Sequence, residues 1–292
     1  MLLPWNVAAL MAGALALLGQ SARSRRSGRW ALAGAVAWET AIVLVLYALW
    51  MKLADLTVTK SAGAVPRATW IWHTERRLHF PSELALQRAV LAHPLFVQAL
   101  NRFYEIVHVP ALIIFLIWMF ARHRDVYPRW RNALAVLTLA CLVIQTIPVA
   151  PPRLLPGLGF VDTAVRYGQS VYGTGGLKIA PQLAAMPSVH VGWAVFIAVA
   201  VIFVSTSKWR WAIVAHPVLT TVAVVATANH WYLDGVVAAA LLPVAFAAVV
   251  AAERSVRSVR SVRAAGRLGA RPERRGLVGG GQLVEPAGSG RG

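Results

Sequence analysis

The sequence predicts an all-α, polytopic membrane bundle of about seven transmembrane helices, and three observations lead there. Of its 292 residues 58% are hydrophobic and only 14% charged, with a mean hydropathy of +0.60; soluble domains are about 45–50% apolar and about 25% charged. The apolar residues fall in runs approaching or reaching the roughly 17–25 residues that a span of the bilayer requires. The 29 Lys and Arg, set against 11 Asp and Glu, lie between and after those runs. That distribution excludes nucleic-acid binding as the meaning of the +18 net charge, and the apolar content excludes disorder for most of the chain. The single cysteine, Cys141, lies inside an apolar run and has no intrachain partner, so redox compartment is not readable from it.

The first run, 5–18, is short, with Pro4 and Asn6 near its start. It has no basic region ahead of it and is followed by Arg23, Arg25, Arg26 and Arg29, so it reads as a retained span and not as a signal peptide. With the second run, 30–51, it forms an N-terminal hairpin over 1–52. A core over 53–253 follows, with spans at 106–121, 132–149, 188–204, 211–228 and 231–252. The last two lie so close that they also read as one hairpin broken at Asn229 and His230. Before the third span, residues 82–103 place Leu84, Leu86, Val90, Leu91, Leu95, Val97 and Leu100 among polar residues at helical spacing, the pattern of an interfacial amphipathic helix. After Glu253 comes a basic, low-complexity tail, 254–292, in which RSVRSVRSVR precedes a Gly- and Arg-rich end. It buries too little to order itself and is expected to be disordered or to lie on anionic lipid.

Short loops rich in Lys and Arg stay cytoplasmic. Four Arg lie in 20–29, four more (Arg122, Arg124, Arg129, Arg131) in 122–131, and Lys208 and Arg210 in the turn after the fifth span. With seven spans these loops share one side with the tail. The N-terminus is therefore expected outside and the tail in the cytoplasm of a cell with this protein in its plasma membrane. The opposite, extracytoplasmic face carries ten basic residues spread thinly over 52–105 and 150–187.

Three polar groups fall on that outer face. Arg153 sits among Pro148, Pro151, Pro152 and Pro156 at the exit of the fourth span, where prolines end the helix and hold the planar guanidinium, suited to phosphate oxygens, just outside the membrane. Taken alone, Arg153 is better read as a membrane-boundary arginine contacting lipid headgroups. Pro187, Ser188 and His190 mark the start of the fifth span, where exposed N–H groups favour an anion and a histidine near neutral pH moves protons. Simple capping by Ser188 and a hydrogen-bonded interfacial His190 are the plainer readings. His230 and Asp234, four apart, share a helix face, so the carboxylate can accept the imidazole Nδ1–H and leave Nε2 as nucleophile or base. A structural His–Asp pair is the alternative. Together they supply phosphate binding, a general acid and an oriented nucleophile, the needs of phosphoryl transfer, without requiring a metal or other cofactor.

Ala150-Pro-Pro-Arg153, Pro187-Ser-Val-His190 and His230-Trp-Tyr-Leu-Asp234 resemble the three signature motifs of the type 2 phosphatidic acid phosphatase superfamily. The likeness is strongest to the branch that includes inositol phosphorylceramide synthases, and it covers about 75–252, including Tyr104 to His108 and Gly159 to Thr163. The resemblance implies a six-helix phosphatase-like core and His230 as the residue that is phosphorylated. It also implies Asp234 as its orienting partner, His190 as proton donor to the leaving group, and Arg153 and Ser188 as phosphate ligands. Two positions depart from the family pattern: Thr146 stands where a Lys is expected, seven residues before Arg153, and Val224 where an Arg is expected, six before His230. Lys178, Arg166 or a lipid headgroup are candidates to compensate.

Tyr104 and His108 are expected to line the same site on the substrate side, although an aromatic belt at the membrane boundary accounts for Tyr104 too. Glu39, inside the second span, is expected to pair within the bundle. Gly173 to Gly176 suits a phosphate cradle or, more commonly, a flexible loop. His216 lies nearer the inner face and is left out of the site. The expected activity is transfer of a phosphoryl group from a phospholipid or polyprenyl phosphate, to water in a phosphatase or to inositol or a sugar in a phosphotransferase, with membrane lipids as the surroundings. A transporter, or a haem protein using His190 and His230, are the rival classes.

Overall fold

The computed structural model describes residues 3–23, 28–57, 61–170 and 182–269. Among them the regular structure is helical. Helices α1 (Trp5–Arg23) and α2 (Gly28–Thr57) form the expected hairpin. They approach closely at Gly19, where an added Cβ would stand 3.0 Å from the Gly34 carbonyl oxygen and from the Trp38 nitrogen. Glu39 of α2 pairs with Arg131 of α7 (Tyr127–Gln145), so the acidic residue of the second span is neutralised by an arginine of the 122–131 cluster.

Each expected span falls on a helix. Besides α7 these are α6 (His108–Arg122), α9 (Val189–Val204), α10 (Ala215–Ala226, entered by a 3₁₀ stretch Lys208–Val214) and α11 (Tyr232–Gly269). By length and composition α1, α2, Lys208–Ala226 and α11 are each sufficient to cross a membrane. A fifth crossing is available if α5 (Pro94–Ile106) and α6, bent by 49°, count as one. The break between α10 and α11 falls where the sequence places it, over 227–231. Helix α11 continues through the arginine repeat as far as Gly269, a continuation that the sequence reading did not anticipate.

Phe115 and Met119 of α6, Leu137 of α7, Phe196 of α9 and Leu242 of α11 share one apolar core. A second cluster joins Ala68 and Ile71 of α3 (Ala64–Arg77) to Val149, Ala150, Leu155 and Trp231, so the first and third motifs each contribute a residue to it. The amphipathic stretch expected at 82–103 is two helices, α4 (Glu83–Leu91) and α5. Pro94 lacks an N–H and disfavours helical geometry at His93, so the chain breaks there and restarts with Pro94 in the first turn. Val90, Val97 and Leu100 pack on Ala223 and Ala226 of α10, while Glu83, Gln87 and Asn101 are buried as well. The Gln87 amide donates to the carbonyls of Val161 (2.9 Å) and Ala226 (3.2 Å) and accepts from Val161 N–H (2.8 Å). This tie binds α4 to the loop and helix end that flank the site.

Candidate active site

The site forms where the starts of α9 and α11 cross. Gly192 and Gly235 are the close-approach positions: a Cβ on Gly192 would come to 3.3 Å from Ala238 Cβ, and one on Gly235 to 3.1 Å from Val191 Cγ1. With no side chain in the way, Ser188 N–H donates to the Asp234 carbonyl at 3.0 Å. The two motifs are thereby joined main chain to main chain. Ser188 caps α9, its hydroxyl accepting from Val191 N–H at 3.4 Å, and Gln145 steadies the approach by donating to the Pro187 carbonyl at 2.8 Å.

His230 is set by the end of α10. Ala228 adopts a left-handed conformation (φ 56°), the Ala228 N–H bonds the Val225 carbonyl at 2.9 Å, and the Asn229 N–H bonds the Val224 carbonyl at 2.9 Å. That is the paired bonding of a Schellman ending, built here on alanine instead of the usual glycine. His230 N–H also reaches the Val224 carbonyl, at 3.1 Å. The imidazole Nδ1 stands 2.7 Å from the Ala185 carbonyl and 3.2 Å from Asp234 Oδ2. A carbonyl oxygen only accepts, so Nδ1 carries the proton and the ring's lone pair is on Nε2. Asp234 is completely buried, and the same Oδ2 accepts from Trp231 N–H at 2.8 Å.

Arg153 lies on the 3₁₀ turn Pro152–Leu154. Its backbone N–H donates to the Ala228 carbonyl (3.1 Å), its Nη1 to Asn229 Oδ1 (2.6 Å), and its Nε lies 3.2 Å from Asp162 Oδ2. The guanidinium is thus fixed beside the residue preceding His230. The segment carrying it is anchored by pairing of Val149 with Ala184 and by the Trp231 indole N–H donating to the Ala150 carbonyl at 3.0 Å.

Tyr104, His108, His190 and His230 form a cluster of rings. Centroids are 4.6 Å apart for Tyr104 and His190, 4.7 Å for His108 and His190, 5.8 Å for His190 and His230, and 6.4 Å for Tyr104 and His230. The His108 Nδ1–H donates to the Tyr104 carbonyl at 3.1 Å. His108 Nε2 and His190 Nδ1 are both buried without a hydrogen-bonding partner. The structure thus gathers all seven sequence-derived site residues into one region. It adds Asp162, nine residues beyond Arg153, together with Asn229 and the Ala185 carbonyl, which meet Arg153 and His230 across 76 and 45 residues, separations that no local spacing announces. His216 has its ring 6.4 Å from that of His108, one step outside the cluster. Gly173 to Gly176 and Lys178 lie outside the described residues. Among the described residues no group of three or more His, Cys, Asp or Glu is arranged to hold a metal ion.

The model of the PAP2 superfamily matches residues 69–248, more than half of the chain. The chain belongs to the PAP2 superfamily. That membership supports a phosphatase-type phosphoryl-transfer enzyme working on lipid phosphates in a membrane. No curated protein and no solved structure matches it. As a PAP2 chain it lacks two cations of the expected pattern, and the structure shows what replaces them locally. Thr146 closes α7, its hydroxyl donating to the Val143 carbonyl at 2.7 Å. Val224 packs with Val191 and Val225 and contributes its carbonyl to the turn that holds Asn229 and His230. Arg166 is exposed and lies over the Tyr167 ring.

Proposed function

We propose that this protein is an integral membrane enzyme that takes a phosphoryl group from a lipid phosphate or phosphodiester through a phosphohistidine at His230. It then passes the group to water or to an alcohol such as inositol or a sugar. The observation that carries this reading is the double occupancy of His230 Nδ1 by the Ala185 carbonyl and Asp234, which leaves the lone pair on Nε2 next to His190.

In the first half-reaction Nε2 of His230 forms a bond to phosphorus as the bond to the leaving oxygen breaks, and His190 gives that oxygen its proton. Arg153, the Ser188 hydroxyl and the first-turn N–H groups of α9 bind the charge that gathers on the phosphoryl oxygens. Asp234 offsets the positive charge that forms on the phosphorylated imidazole. In the second half-reaction neutral His190 removes a proton from the acceptor. The acceptor oxygen attacks phosphorus, the N–P bond breaks and His230 returns to its starting state. Tyr104 and His108 line the substrate side of His190. The arginine-rich loops support an orientation with this site on the outer face of the plasma membrane and α11 ending in the cytoplasm.

The test is to incubate purified protein with radiolabelled phospholipids and polyprenyl phosphates, with and without inositol. Free phosphate identifies a phosphatase and a labelled inositol product a transferase. Intact turnover in both His230→Ala and Asp234→Asn rules the mechanism out. A cysteine introduced at Gly157 should react with an impermeant thiol reagent from outside; exclusive labelling from inside reverses the orientation.

A further inference from the structure

Glu75 and Glu83 take no part in the reaction proposed above, yet both are almost wholly removed from solvent, at 0% and 1% exposure. Glu75 belongs to α3 and Glu83 opens α4, so the turn between these helices brings two carboxyl groups together. Burying two acidic side chains is costly unless each oxygen has a partner. Glu75 Oε1 accepts the Leu233 N–H at 2.7 Å. Glu83 Oε2 accepts from Arg76 Nη2 at 2.9 Å, and the same Nη2 donates to the Pro81 carbonyl at 2.9 Å. The remaining oxygens, Glu75 Oε2 and Glu83 Oε1, are buried and have no hydrogen-bond partner. The two carboxyl groups are neighbours, and a hydrogen bond between them would satisfy both oxygens at once. Such a bond requires a proton between them.

The chemistry assigns that proton to Glu75. Glu83 is ion-paired with the Arg76 cation, whereas Glu75 has no cation of its own, faces Glu83 and lies within the field of Asp234. Tyr232, the other titratable group facing the pair, is neutral at physiological pH. Burial first, and then the bond to Glu83, push the Glu75 carboxyl up to about 9; the Leu233 N–H pulls the other way. A neutral Glu75 satisfies every oxygen in the cluster: its hydroxyl donates to Glu83 and its carbonyl oxygen accepts from Leu233.

Leu233 N–H is a first-turn amide of α11, one of the donors that a helix cannot satisfy itself. The next residue is Asp234, which holds His230. We propose that Glu75, as a neutral carboxylic acid bonded to Glu83, is a positioning residue that fixes the start of α11 and through it the Asp234–His230 pair. Its effect on turnover rests on the phosphoryl-transfer reading; its protonation does not.

Infrared spectra of wild-type protein in nanodiscs, titrated with base, should show a protonated carboxylic acid band at pH 7 that fades above about pH 9 and is absent from Glu75→Gln at all pH values. Gln preserves both bonds, its amide donating to Glu83 and its oxygen accepting from Leu233. Glu75→Gln should therefore stay within about threefold of the wild-type kcat, whereas Glu75→Ala should lose at least about tenfold in kcat with little change in KM. A pH 7 spectrum from which Glu75→Gln removes no acid band overturns the proposal, as does a Gln variant as impaired as the Ala variant. If the wild type turns over no lipid phosphate, the proposed function fails, while the spectra still decide the protonation of Glu75.

Discussion

Asp234→Asn probes the division of labour around His230. Asp234 Oδ2 receives both the His230 Nδ1–H (3.2 Å) and the Trp231 N–H (2.8 Å), and an asparagine oxygen in the same place can accept both. The Ala185 carbonyl, closer at 2.7 Å, continues to hold the proton on Nδ1. The substitution therefore removes charge without releasing the ring or its tautomer. A hydrogen bond to a charged group contributes about 1.5–3 kcal/mol and a neutral one about 1, so the loss is about 1–2 kcal/mol in the step where His230 becomes cationic. That corresponds to a kcat lowered roughly five- to thirtyfold with KM almost unchanged. Asp234→Ala goes further, because it strands the buried Trp231 N–H at about 1–3 kcal/mol of folding stability. The assay is steady-state turnover of a lipid phosphate beside denaturant unfolding in one detergent. A loss below threefold in Asp234→Asn refutes the role of the charge, and a loss above a thousandfold refutes the independent hold by Ala185.

Arg153→Lys keeps the charge but not the planar fork that meets Asn229 and Asp162, so kcat/KM should fall about 10- to 100-fold, with unfolding unchanged within about 1 kcal/mol; equal activity would remove Arg153 from phosphate binding. Gly235→Val forces methyl groups into the 3.1 Å approach to Val191 and should cost about 1–3 kcal/mol in unfolding experiments while abolishing most turnover, because the same crossing spaces His190 from His230. Wild-type activity in that variant would show that the crossing is not critical. The folded protein keeps on Glu75 a proton that the unfolded chain releases near the ordinary value of 4.5, so unfolding releases a proton between about pH 4.5 and about 9. Stability should then fall as pH rises through that window, by up to about 1.4 kcal/mol per pH unit, and Glu75→Gln should flatten the fall. Identical slopes for the two proteins would contradict a neutral Glu75.

What the sequence makes legible is what local chemistry determines. Apolar runs reveal the helices and Pro187 with Ser188 reveals the start of α9. The four-residue spacing of His230 and Asp234 points to their pairing, but not through a shared helix face, because α11 begins at Tyr232 and His230 lies in the turn before it. The bend at Pro94 was legible too, but apolar periodicity over 82–103 outweighs one proline in a pattern of that length. Contacts made by folding are a different matter. Asn229 meets Arg153 across 76 residues and Glu75 meets Leu233 across 158, and neither spacing carries a periodic signal. Nothing in the local spacing of Glu75 and Glu83 singles them out; only their burial makes them informative. His216 was set aside by its depth along one helix, whereas the short α10 brings its start within reach of His108.

The central claim is a covalent bond between phosphorus and His230. Protein mixed with a lipid phosphate carrying labelled phosphorus, then quenched with alkali within the first turnover, should yield a labelled peptide containing His230. The label should be stable to base and lost in acid, and absent from His230→Ala. Label on another residue, or undiminished turnover in His230→Ala, would contradict the account.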